Sequence, residues 1–283
     1  MGNIIACVDG SAYADSVCDL AAWAASRTDG TVSLLHVAAP HTDTAIKGDL
    51  SGQIGLGAKS ELLAELTEAE AEHGRQEQKK GQEILDRAEE RFHAKSDASV
   101  TRIHRRGDFF ENVAELESSA DLIILGKQGE DSVGAADHLG AELAELMRTP
   151  HQPILLAARE STPMGRILIA FDGGKACMRA VDYAAKSPLL KGLDCHLVTV
   201  GTKAEAAMKT AAETLASAGL SVRTEVLTGS SVPGAVQAYA DARATDLLVI
   251  GASSHSKIHH LIWGSTTEAL ILHADGPVLL FGA

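Results

Sequence analysis

DLLVIGASSHSKIHHLIWGSTTEALILHADGPVLLF, residues Asp246–Phe281, is the stretch from which the fold can be read. Leu247-Leu248-Val249-Ile250 is a short apolar run of the kind found in a buried strand, and Gly251 ends it. A small, polar, histidine-rich loop follows. Gly264-Ser265-Thr266-Thr267 then opens a helix that runs to His273, and Pro277 restarts the chain into a last strand, Val278–Phe281. Strand, glycine loop and hydroxyl-bearing helix start make an anion site. Unpaired backbone N–H groups and the positive end of the helix dipole face the loop. Ser and Thr add side-chain donors there and also cap the helix.

The chain holds this unit twice. Asp121–Leu156 reads DLIILGKQGEDSVGAADHLGAELAELMRTPHQPILL, with Gly126 closing a strand, Gly140 opening a helix and Pro153 leading into a strand. The beginnings match too: NIIACVDGS at Asn3–Ser11 and RILIAFDGG at Arg166–Gly174. Asp9 and Asp172 are 163 residues apart, and so are His36-Val37 and Thr199-Val200. A constant offset from first strand to second indicates an internal duplication.

A chain of 283 residues accommodates two domains of ordinary size, each able to bury its own core. Hydrophobic content of 45% with 22% charged residues is that of a globular protein. The net charge of −13 speaks against a general nucleic-acid binder, which needs a basic face, and in itself serves solubility. No apolar run approaches the roughly 20 residues of a membrane span. The N-terminus goes directly into a strand, with no signal peptide. Cys7, Cys18, Cys177 and Cys195 form no close pair, which fits buried free thiols in a reducing compartment and predicts a cytoplasmic protein.

Taken in order, Ile4–Val8, Thr31–Val37, Val100–His104, Asp121–Gly126 and Ile154–Ala157 read as strands of the first half. Tyr13, Val17, Leu20 and Ala24 recur at helical spacing between the first two. Pro40–Lys59 has four glycines and little periodicity and reads as an excursion; Glu61–His93 reads as a helix that Gly74 and Gly81 weaken in the middle. Shorter helices are expected at Phe109–Leu116 and Glu142–Met147. The second half repeats the plan more compactly, with strands at Ile167–Phe171, Cys195–Val200 and Val222–Leu227 and helices at Ala204–Ala218 and Val232–Arg243. Each half is therefore a doubly wound α/β domain on a five-stranded parallel sheet with helices on both faces. The expected domains are 1–158, with an excursion at about 40–75, and 165–283, joined by a linker at 159–164. The apolar last strands Ile154–Ala157 and Val278–Phe281 would be exposed edges unless they cover each other, which predicts an intramolecular pseudo-dimer. Further pairing into a homodimer is open.

In such a sheet ligands bind beyond the carboxyl ends of the strands, where strand order reverses. Asp9, Asp172, Gly126 and Gly251 stand at such ends. The aspartates either meet a nucleoside or a cation or cap the turn that follows them. Neither a P-loop nor a strand-linked G-x-G-x-x-G is present. Lys257, His255, His259 and His260 form a polar lid or subunit surface, contact phosphate, or, for the two histidines at i, i+4, bind a metal. Trp263 reads as a packing residue. No Ser-His-Asp or paired-carboxylate set can be placed, so no catalytic residue is named.

With these residues in view the chain resembles a tandem universal stress protein over nearly its whole length, excepting residues 40 to about 75. The resemblance rests on V-D-G-S at Val8–Ser11, F-D-G-G at Phe171–Gly174, the His36-Val37 step and the two strand–glycine loop–helix units. Members that bind ATP carry G-x2-G-x9-G-[ST] after the fourth strand. Others have lost it and bind none. Here the second half has Gly251, Ser254 in place of the second glycine, nine intervening residues, then Gly264 and Ser265. The first half keeps Gly126 and Gly129, but ten residues precede Gly140, and Ala141 replaces the hydroxyl residue.

The resemblance implies a nucleotide-binding stress-response protein that takes ATP, with Mg²⁺, and presents the bound state to a protein partner. It implies phosphate contacts at Gly251, Ser253, Ser254, Gly264, Ser265 and Thr266, with Asp172 and Val200 on the nucleoside, and a weaker second site at Asp9, Val37, Gly126, Gly129 and Gly140. An interaction protein of the same family with empty sites, and a slow ATP hydrolase, are the alternatives.

Overall fold

The structure, a computed structural model, describes residues 2–39, 56–129, 152–160, 162–252 and 265–282. The first half supplies strands β1 (Asn3–Cys7), β2 (Thr31–Ala38), β3 (Val100–Arg106), β4 (Leu122–Gly126) and β5 (Ile154–Ala157). Among them run helices α1 (Ala14–Thr28), α2 (Leu56–His93) and α3 (Phe109–Glu117). The second half supplies β6 (Arg166–Ala170), β7 (Asp194–Val200), β8 (Ser221–Leu227), β9 (Leu247–Gly251) and β10 (Val278–Phe281). Its helices are α4 (Lys175–Lys186), α5 (Glu205–Ser217), α6 (Val232–Arg243) and α7 (Ser265–His273). The helix expected at Glu142–Met147 lies outside the described residues.

The strands form one sheet in the order β3-β2-β1-β4-β5-β10-β9-β6-β7-β8. Within each half every described pairing is parallel, and the inner strands are the continuous apolar runs expected of a sheet covered on both faces. The halves meet in an antiparallel ladder, Val278 opposite Leu156 and Leu280 opposite Ile154. That pairing removes the two apolar edges that would otherwise template association. It leaves β3 and β8 as the outer strands.

Both sheet faces are covered. Ile4, Ala6 and Val8 point into a core shared with α1, α2, α4 and α5. Ile5 and Cys7 point into a second core under α3, α6 and α7, closed by Val113, Val236, Leu270 and Ile271. The duplication extends to polar detail. Asp121 accepts from the Asn3 N–H at 2.8 Å, and Asp246 accepts from the Arg166 N–H at 2.7 Å, so in each half an aspartate before the fourth strand ties down the first. Asp108 and Ser231 cap the third helix of their halves, accepting from the N–H of Glu111 and Gly234.

One element departs from expectation. α2 starts at Leu56, inside the segment read as an excursion, and passes through Gly74 and Gly81 without a break. Gly81 has a packing reason: a Cβ there would lie 2.3 Å from His104 Nε2 and 3.0 Å from His36 Cδ2. Its missing side chain lets the helix lie on the ends of β2 and β3. At its C-terminal end α2 is tied to α1 by Asp19, which is buried and accepts two 2.7 Å bonds from Arg91 and another contact of 2.7 Å from Lys95.

Candidate functional site

Strand order reverses between β1 and β4 in the first half and between β6 and β9 in the second, so each half has a crevice at its strand ends. In the second half, Asp172 follows β6, Val200 ends β7 and Gly251 ends β9, and these three strands are neighbours. Asp172 is exposed, and its Oδ1 accepts from the Gly174 N–H at 2.7 Å. Gly174 is the N-cap of α4, so one oxygen of the carboxylate is engaged in shaping the turn. Gly173 takes φ +78°, a left-handed conformation that favours glycine.

Gly251 is fixed by α4. A Cβ on it would lie 2.5 Å from the Cys177 backbone nitrogen and 2.8 Å from the Ala176 carbonyl carbon. The glycine therefore lets the first turn of a helix press onto the strand end. Cys177 lies beneath, its thiol donating to the Ala170 carbonyl at 3.4 Å. Burial, and then the charge of Asp172, push that thiol up to about 12, so it stays protonated and unreactive at neutral pH. Ser265 and Thr266 open α7 and are exposed, while Thr267 behind them is buried.

The first-half crevice has the same frame and different contents. Asp9 follows β1, Val37 lies near the end of β2 and Gly126 ends β4. Asp9 Oδ1 accepts from the Ser11 N–H at 3.0 Å, and Ser11 Oγ accepts from the Tyr13 N–H at 3.2 Å. Tyr13 is buried at the N-cap of α1, against Gly126: a Cβ on that glycine would be 2.7 Å from the Tyr13 Cβ. The Arg159 guanidinium lies 5.9 Å from the Tyr13 ring centroid. His36, next to Val37, makes a 2.9 Å contact through Nδ1 to the Val8 carbonyl and holds β2 against β1. Gly129 is described and half-buried.

The structure thus brings Asp172, Val200, Gly251, Ser265 and Thr266 to one end of the second half, and Asp9, Val37, Gly126 and Gly129 to the matching end of the first. Ser253, Ser254, Gly264 and Gly140 lie outside the described residues, as do Lys257, His255, His259, His260 and Trp263. Among the described residues no group of three or more His, Cys, Asp or Glu side chains is poised for a metal. Two clefts, of about 750 and 790 Å³, open away from these residues, between the ends of α1 and α2 and between α5 and β8.

Two participants escaped the sequence reading. Tyr13 is buried, as its helical spacing with Val17 implies, but its place at the N-cap, packed on the strand-end glycine, was not foreseen. Lys127 follows Gly126 directly and is buried, with its Nζ donating to the carbonyls of Ala274 and Gly276 in the other half. A charged residue directly after a buried strand was the available signal.

A duplicated, doubly wound α/β frame with paired strand-end crevices defines the class, and comparison with known proteins gives the family. The model of the universal stress protein family matches residues 1–157 and 200–282. The segment it leaves out, 158–199, contains Asp172. The universal stress protein Slr1230 of Synechocystis sp. is 34% identical over 99% of this chain and 100% of its own. The chain therefore belongs to the universal stress protein family. Its fold is similar to that of a universal stress protein from Archaeoglobus fulgidus, with a TM-score of 0.72, 17% identity, and 99% of this chain and 98% of that one covered. A functionally unknown protein from Pseudomonas aeruginosa is also similar, with a TM-score of 0.61, 17% identity, and coverage of 100% and 92%. No helix among the described residues is long and apolar enough to cross a membrane.

Proposed function

We propose that the chain is a nucleotide-binding stress protein whose main site lies at the carboxyl ends of β6, β7 and β9 and takes ATP. The supporting observation is the convergence of Asp172, Val200 and Gly251 with the start of α7. Asp172 and Val200 hold the nucleoside. Gly251, Ser253, Ser254, Gly264, Ser265 and Thr266 hold the phosphates, with the α7 dipole contributing about 0.3–1 kcal/mol toward an anion. Mg²⁺ would enter with the phosphates and offset their charge, and the Ser265 and Thr266 hydroxyls at the start of α7 are the oxygens that would stand nearest to it. The Asp9, Val37, Gly126, Gly129 and Gly140 site is secondary, because Tyr13 packs onto its strand-end glycine and Ala141 offers no hydroxyl. The bound state is displayed to a protein partner in the cytoplasm by a molecule of two domains, 1–158 and 165–283, joined at 159–164.

Calorimetric titration of ATP with Mg²⁺ tests this, first into the parent and then into Gly264→Val with Ser265→Ala. Binding in the parent and its loss in the double variant are expected. At 100 times Kd the nucleotide should stabilise the fold by about 2.7 kcal/mol. Unchanged affinity in the variant moves the site elsewhere. No heat and no stabilisation in the parent leave an interaction protein with empty sites, and release of phosphate on incubation would instead identify a slow hydrolase.

A further inference from the structure

Lys127 is a buried cation that plays no part in the proposed contacts. It begins the loop after β4, yet its Nζ donates to two carbonyls of the second half, those of Ala274 and, at 2.9 Å, Gly276. Both belong to the turn between α7 and β10. The Ala274 N–H donates back to Leu270 at 3.1 Å and closes the last turn of α7. The ammonium therefore sits at the carbonyl end of that helix, where orphan acceptors and the dipole both favour a cation.

α7 is nine residues long, a rigid rod of roughly 13 Å. Fixing one end of so short a helix fixes the other, and the other end is Ser265-Thr266. Burying an ammonium is unfavourable unless its donors are satisfied. The fold bears that cost here, while the corresponding position of the second half, directly after Gly251, is an alanine, Ala252. Burial pushes the Lys127 amine down to about 8, with Asp275 opposing the shift. A plain hydrophobic residue would serve packing at lower cost, so the lysine is there for its reach across the junction.

We propose that Lys127 is a positioning residue for α7, supplied by the first half across the β5–β10 ladder, and that it sets the Ser265-Thr266 end of the helix for phosphate. The second clause rests on the nucleotide reading given above. Among the described residues the matching position of the second half, Ala252, offers no such donor, so the second-half helix is tied to the first half through this side chain. Displacement of the Gly126–Gly129 loop is felt at α7 through this side chain.

The test uses the full chain with Lys127→Met, which keeps the stem and loses the donors, and Lys127→Arg, which restores donors and charge. Amide hydrogen exchange without ligand comes first. Loss of a charged hydrogen bond predicts about tenfold faster exchange across α7 in Lys127→Met, with β10 unchanged and Lys127→Arg close to the parent. Unchanged exchange in α7, or a uniform rise through both halves, overturns the positioning role. ATP titration comes second: about tenfold weaker binding is expected in Lys127→Met, with most of it recovered in Lys127→Arg. Equal affinity in parent and Lys127→Met overturns the link to phosphate. If the parent binds no ATP, the nucleotide reading fails by itself, and exchange in α7 alone decides whether the lysine holds the helix.

Discussion

The two halves share strand order, helix placement and even the aspartate that ties the fourth strand to the first, yet they differ where function would be expected to differ. On one side of the molecule α2 runs 38 residues; its counterpart α5 runs 13. Among the described side chains of α2, those from Thr67 to Lys80 are exposed or half-buried and the first buried position is Gly81. The part of α2 from Gly81 to His93 matches α5 in length and in its packing on the sheet. The rest is an addition to the frame. At the strand ends, Tyr13 lies over Gly126 where Ala176 lies over Gly251, and Lys127 stands where the other half has Ala252. The duplicated core was kept in both copies, while the crevice linings diverged, because backbone pairing and core volume constrain the first and solvent-facing loops leave the second free.

The largest expected effect comes from the glycines that close the fourth strands. Gly251 faces helix backbone, with the Cys177 nitrogen at 2.5 Å from an added Cβ, whereas Gly126 faces the Cβ of Tyr13, the N-cap residue of α1, at 2.7 Å and backbone only at 3.1 Å, the Gln128 carbonyl oxygen. Helix backbone cannot give way as a capping residue can. Gly251→Val should cost about 3 kcal/mol or more and Gly126→Val distinctly less, measured by urea unfolding. Equal costs would mean that the two helix–strand contacts are alike.

Next in size is the Asp19 network. Asp19 is buried between Arg91 and Lys95, while Asp182, 163 residues on, is exposed. Asp19→Ala should cost about 2–3 kcal/mol, discounted for the half-exposed cations, and Asp182→Ala almost nothing. Burial raises the Asp19 pKa, but hydrogen bonds from Arg91 and Lys95 outweigh it and hold the carboxyl below its usual value. Its stabilisation is therefore complete above the unfolded carboxylate pKa and is lost as pH falls through the folded one. An acid unfolding midpoint identical in parent and Asp19→Asn would contradict the arrangement.

Much of this was legible in the sequence. Parallel strands buried on both faces are continuous apolar runs, and Ile4–Val8 and Leu247–Ile250 could be read without ambiguity. The offset of 163 gave the duplication, and the glycines after β4 and β9 marked the strand ends where Asp172 and Val200 also stand. What could not be read depends on contacts distant in sequence. Gly81 looks like a helix defect until His104 and His36 are placed beneath it. Lys127 looks like a loop lysine until the antiparallel β5–β10 ladder brings Gly276 to it, 149 residues away. The start of α2 at Leu56 was hidden because Gly55 and Gly57 suggest irregular chain, a local propensity that helix propagation overrode.

Lys127 also predicts a pH effect with no counterpart in the second half. Its amine, pushed down to about 8 by burial, releases its proton in the folded state before an unfolded lysine near 10.5 does. Between those values the unfolded chain binds more protons, so stability rises with pH, by roughly 3 kcal/mol over the interval. Lys127→Met should flatten that rise, and Ala252→Met should leave it intact. Urea midpoints at pH 7.5, 9 and 10.5 would decide the matter.

The smallest effect separates the added part of α2 from the part that belongs to the frame. Gly74 and Gly81 lie in one helix. A Cβ on Gly74 would meet only Arg106 Nη1, at 3.9 Å, an ordinary contact with a flexible side chain. Gly74→Ala therefore removes backbone freedom from the unfolded chain without a clash, and should stabilise by about 0.5–1 kcal/mol. Gly81→Ala gains the same propensity but drives a Cβ into His104, whose exposed ring can turn away at the expense of its stacking on His36 at 5.4 Å. The clash should outweigh the propensity and leave a net cost of about 1 kcal/mol. Opposite signs in two alanine variants of one helix, read from urea midpoints, would place the border between addition and frame between residues 74 and 81. Two stabilising variants would mean that α2 is held off the sheet at Gly81, and that the first half packs its second helix differently from the second half.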